Sequence, residues 1–175
     1  MNFKYLAITI FSLALIASNF PKNIQKKVDK EVKAAYSVET YELMPMLFNS
    51  NITKSLPSRL EKNNLFKILS DSATVGYAYV SRAPSKTDEF DYLVLFDVDF
   101  IIKKSKILIY REDYGNEIGS KRWLKQLIGK TQNDKLTYGD NIAAISGATI
   151  SVKSMTNAVN NLLKSIKILH QKNQF

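Results

Sequence analysis

The chain contains no cysteine and a single histidine, His170, and these two shortages exclude a wide range of chemistry. Disulfides, thiolate nucleophiles, iron–sulfur ligation and haem attachment through C-x-x-C-H all require cysteine. With its one histidine close to the C-terminus, the chain also lacks the means for a histidine-based zinc site or a Ser-His-Asp triad in mid-domain. Redox chemistry, if the protein performs any, must come from an organic cofactor. Four prolines and six glycines among 175 residues are too few for a low-complexity chain. With 45% apolar and 23% charged residues, the composition is that of one globular domain. Acidic residues are the minority, 16 against 25 basic, giving a net charge of +9. That excess suggests an anionic partner, yet no recognition-helix motif and no basic stripe interleaved with stacking aromatics is present. Nucleic acid is therefore not expected as a partner.

No apolar run reaches the roughly 20 residues that span a bilayer comfortably. The longest, Tyr5 to Phe20 (YLAITIFSLALIASNF), follows Lys4 and ends near the small residues Ala17 and Ser18. It reads as the core of a signal peptide or as a membrane anchor, so residues 1–20 are set apart from the fold. The protein is expected outside the cytoplasm, secreted or anchored to the cytoplasmic membrane by residues 5–20. No cysteine follows the run, which excludes bacterial lipoprotein attachment. Lys22, Lys26, Lys27 and Lys30 run against the positive-inside rule, so export is argued from the apolar run and not from charge.

Residues 21–58 read as a helical lead segment. Within it Ile24, Val28 and Val32 recur every fourth position of a lysine-rich stretch, which predicts a surface helix over 22–35. Its lysine face is either simply solvated or in contact with a membrane surface.

The domain proper is expected over 59–175. Thr74–Arg82 alternates, and Phe90–Ile102 alternates over a longer stretch, with Phe90, Tyr92, Val94, Phe96, Val98 and Phe100 on one face. Asp91, Asp97 and Asp99 fall on the other face, where they read as solvent-exposed charges that discourage aggregation. A turn at Lys103–Lys106 and a return strand at Ile107–Glu112 complete a predicted hairpin. Ser120 is a candidate cap for a short helix carrying Trp123, Leu124, Leu127 and Ile128, closed by Gly129. The last helix has apolar residues at 152, 155, 159, 162, 166 and 169, a stripe fit to pack on a sheet. The expected class is α+β, an antiparallel sheet packed by helices.

Before that helix stands Ile145-Ser146-Gly147-Ala148-Thr149-Ile150-Ser151. A helix start offers unpaired backbone N–H groups and partial positive charge, which suits a phosphate. Gly147 permits close backbone approach, Ala148 keeps the surface shallow, and Ser146, Thr149 and Ser151 offer hydroxyls. An ordinary hydroxyl cap after a glycine turn accounts for the same residues.

The stretch AAISGATISVKSMTNAV resembles the Ser/Thr-Gly-Ala-Thr signature of the FMN-binding domain family, which includes flavin-bearing periplasmic subunits of the Rnf complex and of sodium-translocating NADH:quinone reductase. The upstream block REDYGNEIGSKRWLKQLIGKT is similar to a family segment that lies against the flavin. Glu112 and Gly115 match it, while Asp113 and Tyr114 replace the usual threonine and proline. The resemblance implies FMN joined through its phosphate to Thr149 by a flavin transferase. It further implies cofactor contacts from Ser146, Gly147, Ala148, Ile150, Glu112, Tyr114 and Gly115, and electron exchange with a membrane redox complex or reductase. Ala143 departs from the pattern: the family usually has aspartate six residues before the flavinylated threonine, and the nearest one here is Asp140. A domain of the same fold without flavin, or a basic membrane-surface adaptor, is the alternative reading.

Overall fold

The computed structural model describes residues 20–61 and 63–175, so the expected signal or anchor segment lies, apart from Phe20, outside the described residues. Its frame is one antiparallel sheet of five strands in sequence order: β1 (Glu42–Pro45), β2 (Leu65–Ser70), β3 (Ala73–Pro84), β4 (Glu89–Phe96) and β5 (Ile102–Ile109). Helices cover both faces. Helix α1 (Lys22–Tyr36) lies on one, and α4 (Thr149–Gln171) lies on the other beside the short helices α2 (Ser50–Thr53) and α3 (Lys121–Leu124). The class is α+β, as the alternating strands and the amphipathic last helix predict. Among the described residues no helix is long and apolar enough to cross a membrane.

The two cores follow from the period of the strands. In β4, Phe90, Tyr92, Val94 and Phe96 point toward α4, where they meet Val152, Met155, Val159, Leu162 and Ile166. Leu93 and Leu95 point the other way, onto Val28 and Val32 of α1 and Ala78 and Val80 of β3. A strand covered on both sides reads as a nearly continuous apolar run, and LVLF is one. The face opposite Phe90 is therefore dry rather than wet, which corrects the expectation for Asp91. Asp91 is 5% exposed, and its carboxylate is held by Arg82 Nε at 2.9 Å and by Arg111. Burial of α1 also exceeds expectation, since Ile24, Val28 and Val32 are at most 4% exposed.

β4 is shorter than the alternation suggests. It ends at Phe96, and the chain turns at 97–101, so Lys103–Lys106 lie inside β5 and not in a turn. Asp97 makes the turn: its Oδ1 accepts from the N–H of Asp99 at 3.0 Å and of Ile101 at 2.9 Å. Phe100 adopts φ 58°, and its ring stacks on Tyr77 with centroids 3.9 Å apart.

α1 is tied to β5 by Lys27 and Glu31, which meet the Leu108 carbonyl and Lys104, and to β4 by Tyr36. The Tyr36 hydroxyl donates to the Phe96 carbonyl at 2.5 Å, passing over Gly76 at the irregularity between β2 and β3. A Cβ at Gly76 would overlap both the Phe96 carbonyl oxygen and the Tyr36 ring. Backbone cannot yield there, so Gly76→Ala is expected to destabilise the domain by about 3 kcal/mol. Urea unfolding checks this, and a loss within about 0.5 kcal/mol would mean that Tyr36 does not sit over the strand.

Candidate cofactor site

Three segments meet at the start of α4. The chain 143–148 arrives held by α3 and the turn that follows it: Trp123 Nε1 donates to the Ala143 carbonyl at 2.8 Å, and the Ala143 N–H donates to Gln126 Oε1 at 2.7 Å. It then turns at Gly147, φ 78°, with the Ala148 N–H donating to the Ile145 carbonyl at 3.2 Å. Gly147 serves conformation rather than space, because no atom lies within 4 Å of where its Cβ would be. Ala148 is 3% exposed and is the contact point with the third segment, the loop after β5.

In that loop Gly115 adopts φ 83°, and a Cβ on it would lie 2.9 Å from Ala148 Cβ and 3.0 Å from the Tyr110 hydroxyl. The two blocks singled out in the sequence thus meet through Gly115 and Ala148. Tyr110 locks the junction from beneath, with its hydroxyl 3.0 Å from Ser151 Oγ. This corrects the role considered for Ser151. At 3% exposure it faces the sheet, and it is not one of the hydroxyls available to a ligand.

Thr149 is the first residue of α4 and is exposed, as are Ser146 and Gly147 before it. The cap residue Ala148 supplies no side-chain acceptor to the helix, and the first turn carries no acidic residue. A helix of 23 residues therefore begins with its N–H groups and positive dipole end facing solvent, beside one hydroxyl. This is a fit for a phosphate: an anion is favoured there, and the space in front of Gly147 is open. Ile150 is 49% exposed and Tyr114 is 82% exposed, so both leave apolar surface at the solvent side of the junction.

Glu112 is engaged elsewhere. Its carboxylate accepts from Ser85 Oγ at 2.5 Å, the Thr87 N–H at 2.7 Å, Thr87 Oγ1 at 2.8 Å and the Asp88 N–H at 3.2 Å. It fastens the β3–β4 turn to the end of β5, and the structure does not bring it to Ser146–Thr149. The Ser85 hydroxyl, then the Thr87 N–H and hydroxyl, lower its pKa from the usual 4.5 to about 2. A depressed carboxylate contributes stability above the unfolded pKa and loses it as pH falls through the folded one. Glu112→Gln is therefore expected to lower the Tm at neutral pH, with the gap to wild type closing between about pH 4.5 and 2. Thermal unfolding against pH checks it; a gap that stays constant down to pH 2 would remove the ionised carboxylate from the turn.

Tyr110, Trp123 and Gln126 were not among the sequence-derived candidates. Tyr110 immediately precedes the upstream block, and Trp123 and Gln126 lie within it, Trp123 on the predicted apolar helix face, but nothing in the pattern marks their contacts with Ser151 and Ala143.

Comparison with known proteins agrees with this geometry. Residues 86–164 match the family profile of the FMN-binding domain, an interval holding Glu112, Gly115 and the whole Ser146–Thr149 signature. Over that interval the chain is similar to the FMN-binding domain family. The fold is also similar to that in a crystal structure of Shewanella oneidensis NqrC. The TM-score is 0.59 at 16% identity, over 84% of this chain and 96% of that one. No curated protein matches by sequence. The matched interval starts in the β3–β4 turn, so β4, β5, α3 and most of α4 lie inside the FMN-binding domain match. β1 to β3 and α1 complete the same sheet and cores outside it.

Proposed function

We propose that the protein is an extracytoplasmic FMN-carrying electron-transfer protein, with flavin held as a phosphoester on Thr149. The carrying observation is Thr149 itself: an exposed hydroxyl at the first position of a long helix whose start has no side-chain cap. Bound there, FMN would supply reversible electron acceptance and release. Thr149 would bond the phosphate, the N–H groups of the first turn of α4 would hold its charge, and Ser146 would donate a further hydrogen bond. Tyr114 and Ile150 offer apolar surface against which a flat ring could rest. The junction of Gly115, Ala148 and Tyr110 keeps these elements in register.

The apolar run 5–20 supports export or anchoring, and a phosphoester would keep the cofactor from being lost outside the cytoplasm. A flavin transferase would make the attachment, and a membrane redox complex or reductase would exchange the electrons. Ala143 favours a second reading, a domain of the same fold that carries no flavin, because the residue expected to aid transferase recognition is absent. Intact mass spectrometry of the protein co-expressed with its cognate flavin transferase separates the two. An added mass of FMN minus water, mapped to the peptide containing Thr149, is expected; unmodified protein with no in-gel flavin fluorescence would leave the flavin-free reading standing.

A further inference from the structure

An open groove of about 540 Å³ runs between α4 and the segment Lys135–Tyr138. Lys135, Lys153 and Lys164 line it with Thr137, Asn157 and Asn161, and no carboxylate does. All three lysines are exposed, and Lys153 Nζ sits 5.0 Å from the centroid of the Tyr138 ring. The groove is preformed. Asn160 grips the backbone of Leu136 from both sides, accepting from its N–H at 2.8 Å and donating to its carbonyl at 2.7 Å.

Its position ties it to the candidate cofactor site. At about 100° per residue, Lys153, Asn160 and Lys164 fall within roughly 60° of Thr149 around the axis of α4. The groove therefore continues down the helix face that Thr149 begins, starting about 6 Å along it. From Lys153 to Lys164 is roughly 16 Å, the reach of about five extended residues.

We propose that this groove docks an acidic, extended segment of the protein that exchanges electrons with the domain. Charge complementarity selects the occupant: three cations with no anion among them attract carboxylates and steer encounter. Asn157, Asn161 and Thr137 provide the amide and hydroxyl groups that an extended backbone can use. A small nucleotide is a poorer fit, since such ligands favour enclosed and mainly apolar pockets, and this groove is open and polar. α4 lies on the opposite sheet face from α1, so a partner docked here does not compete with the lysine face of α1. The identity of the partner as a redox protein rests on the function proposed above; the docking of an acidic segment does not.

The test uses the full chain expressed without a flavin transferase and a fluorescein-labelled polyglutamate peptide, followed by fluorescence anisotropy. Binding is expected at about 0.01 M salt and lost near 1 M, where the Debye length shrinks from about 30 to about 3 Å. The double variant Lys153→Glu/Lys164→Glu should bind about tenfold more weakly, consistent with loss of electrostatic steering. Lys26→Glu/Lys30→Glu on α1 should bind as wild type does. All four residues are exposed, so both variants should keep the wild-type Tm. An equal or larger loss in the α1 variant, or no binding by wild type, would overturn the proposal. Displacement of the peptide by inorganic phosphate or ATP at lower concentrations than the peptide itself needs would assign the groove to a small anion and overturn it as well. No flavin is present, so failure here leaves the Thr149 attachment standing, and failure of the mass measurement leaves the docking result standing.

Discussion

Phe96→Asp is expected to leave no folded protein at 25 °C. Phe96 is fully buried at the end of β4, opposite Tyr77 on β3 and Ile102 on β5, with its ring 5.9 Å from that of Phe100. Truncating such a phenylalanine costs about 3–5 kcal/mol from lost contacts and the cavity left behind. A carboxylate in that place adds an unpaired buried charge, or must take up a proton at the expense of several more kcal/mol. Domains of this size are stable by about 5–15 kcal/mol, so the sum removes most or all of that margin. Circular dichroism should show a disordered chain, and urea titration no cooperative transition. The neighbouring Asp97→Asn is the control. Asp97 works through one oxygen that accepts two N–H groups, and an asparagine carbonyl can do the same, so a loss under about 1 kcal/mol is expected. A folded Phe96→Asp would place Phe96 outside the core.

The same strand shows what could be read from the sequence and what could not. Alternation from Phe90 to Phe96 located β4 and the face it turns to α4, because period 2 is a local property of the chain. The alternation continues through Val98 and Phe100 although the strand does not. Phe100 regains the core by a left-handed turn residue, and Val98 is 51% exposed. Side-chain type alone cannot separate those two routes to an apolar position. A carboxylate in an alternating strand reads as exposed because carboxylates usually are; the burial of Asp91 depends on Arg82 from β3 and on Arg111 from the segment just after β5. β1 is only four residues long and carries too short a pattern to announce itself. The last helix was legible throughout, and each residue of its stripe is fully buried. Within the candidate site, the signature and Gly115 stood out through the resemblance to the FMN-binding domain family, and of the two glycines only Gly115 marks a close approach, to Ala148. The roles of Glu112 and Ser151 did not, since each depends on a partner at least 24 residues away in sequence.

The decisive substitution is Thr149→Val. Valine keeps the shape of threonine and removes only the oxygen that would bond the phosphate. Thr149 is exposed at the first position of α4 and makes no cap for the helix, so stability should change by less than about 0.5 kcal/mol. The variant is therefore expected to fold and to pass through the transferase co-expression without gaining mass or fluorescence. Thr149→Ser retains a hydroxyl on the same helix end and should carry flavin in part. Ser146→Ala should reduce loading less than valine at 149 does, because Ser146 can hold a phosphate but is not the atom bonded to it. Gly115→Ala provides the structural arm: its Cβ would press on Ala148 and displace the start of α4, lowering loading although Thr149 is intact. Intact mass and in-gel fluorescence read all four variants on one scale. Covalent flavin persisting in Thr149→Val would move the attachment to another hydroxyl, and equal loss in Thr149→Ser would show that the site demands more of residue 149 than an oxygen at the head of a helix.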